Sequence, residues 1–256
     1  MKAAIKAWNR LPIAITQAAS LLLACSNAKS MEKENPRVFE ATKSGLPRET
    51  KPAASNSLSS MAIGQKVGLP PARTKGGMSL FQSLAFRRSV RSYAPRVLTP
   101  EELSQLVWAA QGVTSSRGFR TAPSAGATYP IELYLLIREG VFRYQPGDHA
   151  LWKLAGNDRR SHLAEAALGQ NWIRTAPLSF VIAGITERTA KRYGQRSERY
   201  VVTEAGAVAQ NIMLAATALD LGSVIVGAYD DLKVATIAML QEGATPIALV
   251  SVGERH

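Results

Sequence analysis

The chain has 256 residues, 46% apolar and 20% charged, with a net charge of +12 at neutral pH, which is enough apolar material for one sizeable core. Such basicity suits nucleic acid, anionic lipid or phosphate-bearing ligands, but the chain has no zinc-finger spacing, RNP-like aromatic motif or basic heptad helix, so a nucleic-acid module is set aside. Cys25 is the single cysteine, which excludes an intramolecular disulfide and a thiolate metal cluster, and His149, His162 and His256 are too scattered for a histidine metal site.

The chain opens with Lys2, Lys6 and Arg10, and an apolar run from Leu11 to Ala24 follows. That is the layout of a secretory signal, too short for a membrane anchor. Its end, "LLAC", resembles a bacterial lipoprotein signal, with Cys25 as the lipidation site. An amphipathic leader in which Cys25 is incidental is the other reading. Export to the periplasmic side with a lipid anchor follows from the first, a cytoplasmic protein from the second. Residues 25–75 are rich in Ser, Lys, Pro and Glu without apolar periodicity and read as a flexible tether. Residues 76–256 then form the folded domain.

A short helix is expected over Leu80–Phe86. In "LTPEELSQLVWAAQG", Thr99 is the N-cap, Pro100 the first helical residue and Glu102 the reciprocal member of a capping box, and Gly112 closes the end. "IELYLLI" reads as a strand, and "VFRYQPGDHALWKLA" as a hairpin turned at Pro146-Gly147-Asp148. Asp158 can cap a helix through Leu168 that ends at Gly169. "APLSFVIAGI" reads as a buried strand. "RYVVTEAGAVAQNIMLAATALDLG" is the longest helix and apolar almost all round, but Glu204, Gln210, Asn211 and Asp220 argue for a core or interface helix over a membrane span. A strand "SVIVGAY", a helix "DDLKVATIAML" and a strand "TPIALVSVG" complete the chain. Without regular βαβ units, a Gly-x-Gly-x-x-Gly loop or a P-loop, the class is α+β.

The heptad "RRSVRSY", residues 87–93, stands out. In strand or in helix, Arg87 and Arg91 face the same side. Two guanidinium groups there suit a phosphate monoester, with Ser89 adding a donor. A solvated basic turn is the alternative.

The stretches "RRSVRSY", "LTPEELSQLVWAAQGV", "RTAPSAGATYPIELYLL", "ALGQNWIRTAPLSFVI", "YGQRSERYVVTEAGAVAQNIMLAATALDLGSVIVGAYDD" and "PIALVSVGER" occur in this order between about residues 68 and 255. Together they resemble the FMN-dependent nitroreductase superfamily, and within it the SagB/ThcOx-type dehydrogenases, which include azoline oxidases. The resemblance implies an α+β fold with a mixed or antiparallel central sheet flanked by helices, and a homodimer with FMN at its interface. By position it implies that Arg87, Arg88, Ser89 and Arg91 clamp the phosphate and ribityl chain, with Arg255 reaching the phosphate. It implies that Pro123, Ser124, Ala125 and Gly126 meet the flavin from the partner subunit, and that Val226, Gly227 and Ala228 lie beside the ring. Gln210 and Asn211 have either a flavin-pocket role or an interhelical hydrogen bond.

The implied activity is hydride transfer between a small-molecule donor and an organic acceptor in two steps. A flavin- or ligand-binding lipoprotein without turnover is the alternative on the same fold. Azole-forming members carry a Lys-Tyr pair where this chain has Arg192-Tyr193. Arginine is always protonated, so azoline oxidation is doubtful, while Tyr193 remains a candidate proton donor or a packing residue. Ala207 stands where many members have a histidine. Export also conflicts with a soluble nicotinamide donor, so either the donor is a quinol or a redox partner, or the leader is not a signal.

Overall fold

The computed structural model describes residues 55–256. The expected signal segment 1–24, Cys25 and most of the tether lie outside the described residues. In chain order the elements are α1 (Ser55–Ser60), β1 (Lys66–Gly68), α2 (Leu80–Phe86), α3 (Pro100–Gln111), β2 (Ile131–Ile137), β3 (Gly140–Gln145), β4 (Ala150–Ala155), α4 (Arg160–Ala166) and α5 (Asn171–Thr175). They continue with β5 (Leu178–Gly184), α6 (Thr186–Tyr193), α7 (Ser197–Ala218), β6 (Leu221–Val226), α8 (Asp231–Ile237) and β7 (Thr245–Glu254).

The strands form one seven-stranded sheet in the order β1-β4-β3-β2-β5-β7-β6. Every pairing in it is antiparallel. Helices cover both faces, which explains why "IELYLLI" shows no polar alternation. Leu133, Leu135 and Ile137 enter the core shared with α3 and α7, while Tyr134 and Leu136 enter the core shared with α4, α5 and α8. Each large apolar side chain so buried contributes about 1.5–3 kcal/mol.

Local chemistry fixes the ends of α3. Thr99 Oγ1 accepts from the Glu102 amide at 3.2 Å, and Glu102 Oε2 accepts from the Thr99 amide at 2.8 Å. Gly112 follows the last helical residue in extended form, and only glycine fits there because the Trp108 ring lies against it: a Cβ would fall 2.1 Å from Trp108 Cδ1. α7 buries a stripe through Val201, Glu204, Ala205, Val208, Ile212 and Ala216. No helix among the described residues is long and apolar enough to cross a membrane.

Two expectations change. The boundary at residue 75 moves upstream, because β1 pairs with β4 through Lys66–Trp152, Val67–Leu151 and Gly68–Ala150. A three-residue edge strand, with Val67 alone packed on the core and Lys66 paired with Asp148, is too short to show an apolar rhythm. The arm is pinned again at buried Lys153, whose Nζ donates to the Leu58 and Ser59 carbonyls at 2.9 and 3.4 Å. The helix expected through Leu168 stops at Ala166. Leu168 and Gly169 both have positive φ, and the Gly169 amide closes on the Ala164 carbonyl at 2.9 Å.

One buried polar cluster joins this arm to the sheet. His149 Nε2 meets Ser104 Oγ at 2.7 Å and the Pro70 carbonyl at 3.0 Å, while Nδ1 meets the Tyr144 hydroxyl at 2.8 Å. Burial holds the ring below the ordinary histidine range, partly opposed by the Pro70 carbonyl.

Candidate functional site

The heptad leaves α2 at Arg87 and runs in extended form along the end of the sheet. Ser89 bridges to Ser223 of β6, and the Val90 amide donates to the Ser223 carbonyl at 2.9 Å. Tyr93 bridges to Arg255 and is buried, its hydroxyl donating to the Val90 carbonyl at 2.8 Å and the Ser251 carbonyl at 3.2 Å. Burial raises the Tyr93 hydroxyl far above the ordinary tyrosine range, so it stays a neutral donor. Gly222 permits the approach: a Cβ there would lie 2.7 Å from Val90 Cβ and 2.9 Å from Arg255 Cγ.

The five expected clamp residues differ in what they already hold. Arg88 Nη1 donates back to the Ala85 and Arg87 carbonyls at 2.9 and 2.8 Å, so it caps its own helix. Arg91 lies over the Trp172 ring at 5.4 Å from the centroid. Arg255 pairs with Asp220. The half-buried Arg87 guanidinium and the Ser89 hydroxyl make no hydrogen bond with any described residue. Donors gathered without acceptors fit a phosphate group.

A second group forms at the other half of α7. Glu204 is buried and accepts from the Ala125 amide at 2.7 Å and from the Ser124 hydroxyl. Desolvation raises its pKa, and those two donors partly hold it down. Ser124 Oγ also accepts from the Tyr129 amide at 2.9 Å, which fixes the loop. Gly126, with φ +60°, sits against Arg192 and Tyr193: a Cβ there would fall 2.8 Å from Arg192 Nη1 and from Tyr193 Oη. Arg192 Nη1 donates to the Gly126 carbonyl at 3.3 Å, and Tyr193 stacks edge-on to Tyr200 at 5.0 Å. The structure therefore brings Ser124, Ala125, Gly126 and Tyr193 together, while Pro123 is an exposed neighbour.

Asn211 Nδ2 reaches the Thr121 carbonyl at 3.4 Å, which ties α7 to this loop. Gln210 is half-buried and makes no hydrogen bond among the described residues. Val226 is buried at the end of β6, and Gly227 and Ala228 form an exposed turn behind it. Gln170 Nε2 holds that turn by donating to the Ala228 carbonyl at 2.9 Å.

One chain does not bring the two groups together. Glu204 and Ala218 are fourteen residues apart in α7, so about 21 Å separates the loop's level from the helix end. Asp220, just beyond that end, holds Arg255. Glu204 and Gln170 have a structural part that the spacing of the sequence left unassigned. An acid in a helix otherwise apolar was the visible signal for Glu204; Gln170 offered none. No group of metal-ligating side chains exists among the described residues.

Residues 84–254 match the profile of the nitroreductase family. A Methanocaldococcus jannaschii protein described as a nitroreductase is 46% identical over 175 residues, covering 66% of this chain and 87% of its own. The trifolitoxin operon protein TfxC of Rhizobium leguminosarum bv. trifolii is 24% identical over 205 residues, 72% of this chain and 57% of its own. Among solved structures, a Ralstonia eutropha protein described as a nitroreductase superposes with a TM-score of 0.69 at 30% identity, covering 77% of this chain and 92% of its own. One from Anabaena variabilis gives 0.67 at 24% identity, over 75% of this chain and 42% of its own, a likeness of fold.

Proposed function

The chain belongs to the nitroreductase family, and on that premise we propose that it is a homodimeric FMN-dependent oxidoreductase of the SagB/ThcOx-type branch. The observation that carries this is the pair of unpartnered donors, Arg87 and Ser89, docked against β6. Bound FMN would supply reversible acceptance and return of a hydride. Arg87 would hold its phosphate by a two-pronged guanidinium contact, with Ser89 adding a hydroxyl. Arg91 and Arg255 stand ready beside them, each now held by one neighbour.

The Ser124–Gly126 loop is fixed by Glu204 and by the Arg192 contact, so its backbone would meet the flavin from the partner subunit. Val226, Gly227 and Ala228 would flank the ring, and Gln210 would offer its unused amide. Tyr193 would hold a proton for the reacting substrate. The Arg192 guanidinium is already committed to the Gly126 carbonyl and cannot act as a base, so azoline oxidation is left out of the proposal.

Exposed apolar residues support the dimer. Leu80, Phe81, Leu84 and Phe86 of α2 are 48–82% exposed, and Val202 of the adjoining α7 is 53% exposed. Exposed apolar side chains on these two helices fit a subunit interface. The lipid anchor at Cys25 and a periplasmic location remain part of the proposal; acyl labelling lost in Cys25→Ala is the expected result.

Purification tests the reading. A yellow protein whose absorbance bleaches with a reductant and recovers with an acceptor is expected. A yellow protein that does not turn over would favour the binding lipoprotein, and a colourless one that FMN cannot reconstitute would refute both.

A further inference from the structure

Behind the heptad, the chain lines a cavity of about 280 Å³, near the lower end of the size range of small-molecule sites. α5 stands between the two: Trp172 meets Arg91, while Arg174 and Thr175 line the cavity. Leu98, Leu103 and Ile137 give it an apolar floor, and four arginines, Arg96, Arg138, Arg160 and Arg174, surround that floor.

Two of the arginines are spent. Arg96 holds both oxygens of Glu102 at 2.9 Å and Glu254 at 2.7 Å. Arg160 holds Asp158 at 2.9 and 2.6 Å and the Ala176 carbonyl at 2.9 Å. Their acids are correspondingly occupied. The other two are free to bind. Arg138 is exposed and makes no hydrogen bond or ion pair with a described residue, its charge only helping to hold the Asp158 carboxyl down, and Arg174 has only Glu165 at 4.0 Å. Each guanidinium has five N–H donors. Against them the lining offers one carboxylate not already engaged, Glu139. Donors therefore exceed acceptors at the rim of an apolar hollow, and the complementary ligand brings oxygen acceptors on an apolar body.

We propose that this cavity binds an organic monoanion, a carboxylate carried on an alkyl or aryl body, at a site separate from the proposed flavin clamp. Arg138 and Arg174 hold the carboxylate by charge-assisted bonds, and Leu98, Leu103 and Ile137 receive the apolar part. The site requires nothing of FMN, so it stands or falls independently of that assignment.

Calorimetry on the full chain tests it with three probes: octanoate, octanol with no charge, and inorganic phosphate with no tail. Octanoate is expected to bind, with octanol and phosphate each at least about tenfold weaker. In the double variant Arg138→Gln/Arg174→Gln, which removes both charged contacts, the octanoate dissociation constant rises at least about tenfold, while octanol binding and FMN content stay unchanged. Val97 is 53% exposed at the rim, so Val97→Trp fills the entrance without disturbing the core; it should abolish octanoate binding at an unchanged melting temperature. Equal affinity for octanol and octanoate, undiminished octanoate binding in either variant, or no binding by wild type at millimolar concentration would overturn the proposal.

Discussion

Arg87 and Arg96 lie nine residues apart in the segment that wraps the end of the sheet, and their surroundings are opposite. Arg96 is saturated by Glu102 and Glu254 and joins the start of α3 to the end of β7. Those contacts, the Glu102 hydrogen bond first, raise its pKa further against a burial that would lower it. Arg87 is half-buried at the start of the heptad, and its guanidinium bonds to nothing described. The same residue type is thus a brace at one point and an open hand at the other. Acceptors decide which, since the fold must satisfy a structural guanidinium and can leave a ligand-binding one waiting.

Breaking the brace should have the largest effect on folding. Arg96→Leu removes three charge-assisted bonds to carboxylates that are only partly exposed; a loss of about 2–3 kcal/mol is expected. Urea denaturation measures it, and a change below about 0.5 kcal/mol, the size of an ordinary surface substitution, would reduce Arg96 to a surface charge. Gly222→Val sharpens the comparison from the other side by pushing the heptad off β6 without altering an arginine. Overpacking against Val90 should cost about 1–2 kcal/mol and lower FMN retention too. Retention equal to wild type would mean that the docking of the heptad is irrelevant to the ligand.

The smallest effect concerns His149, which contacts neither arginine. Its folded pKa lies below the unfolded value near 6.5, so the unfolded chain takes up the proton first. Stability should not depend on this ring above about pH 7.5. It should fall as pH drops below about 6.5, by at most about 1.4 kcal/mol per pH unit, until the folded ring protonates. Tyr144 and Ser104 are its side-chain partners. His149→Gln should remove that component from a melting-temperature profile; an unchanged profile would assign the acid sensitivity elsewhere.

Much of this was legible in the sequence where local rules suffice. Thr99, Pro100, Glu102 and Gly112 mark α3 to the residue, because caps are written in neighbouring side chains. The strands of the sheet core were visible as apolar runs. β1 was not, since three residues with a single core-facing side chain, Val67, leave no pattern. α6 was missed for a related reason: of its eight residues only Thr189 is buried, so it shows no apolar stripe. At the candidate site the basic heptad was conspicuous, but the division of labour within it was not. That Arg88 turns back on its own helix is a local choice of rotamer, and that Arg91 meets Trp172 and Arg255 meets Asp220 is decided by tertiary neighbours. No spacing rule encodes them.

The most direct measurement is an FMN titration, followed by quenching of flavin fluorescence, on the wild type and on Arg87→Ala. The account predicts one FMN per chain for the wild type and a dissociation constant at least about tenfold higher for the variant, with unfolding stability within about 0.5 kcal/mol of wild type. Equal affinity in the two proteins, or no FMN binding by either, would contradict it.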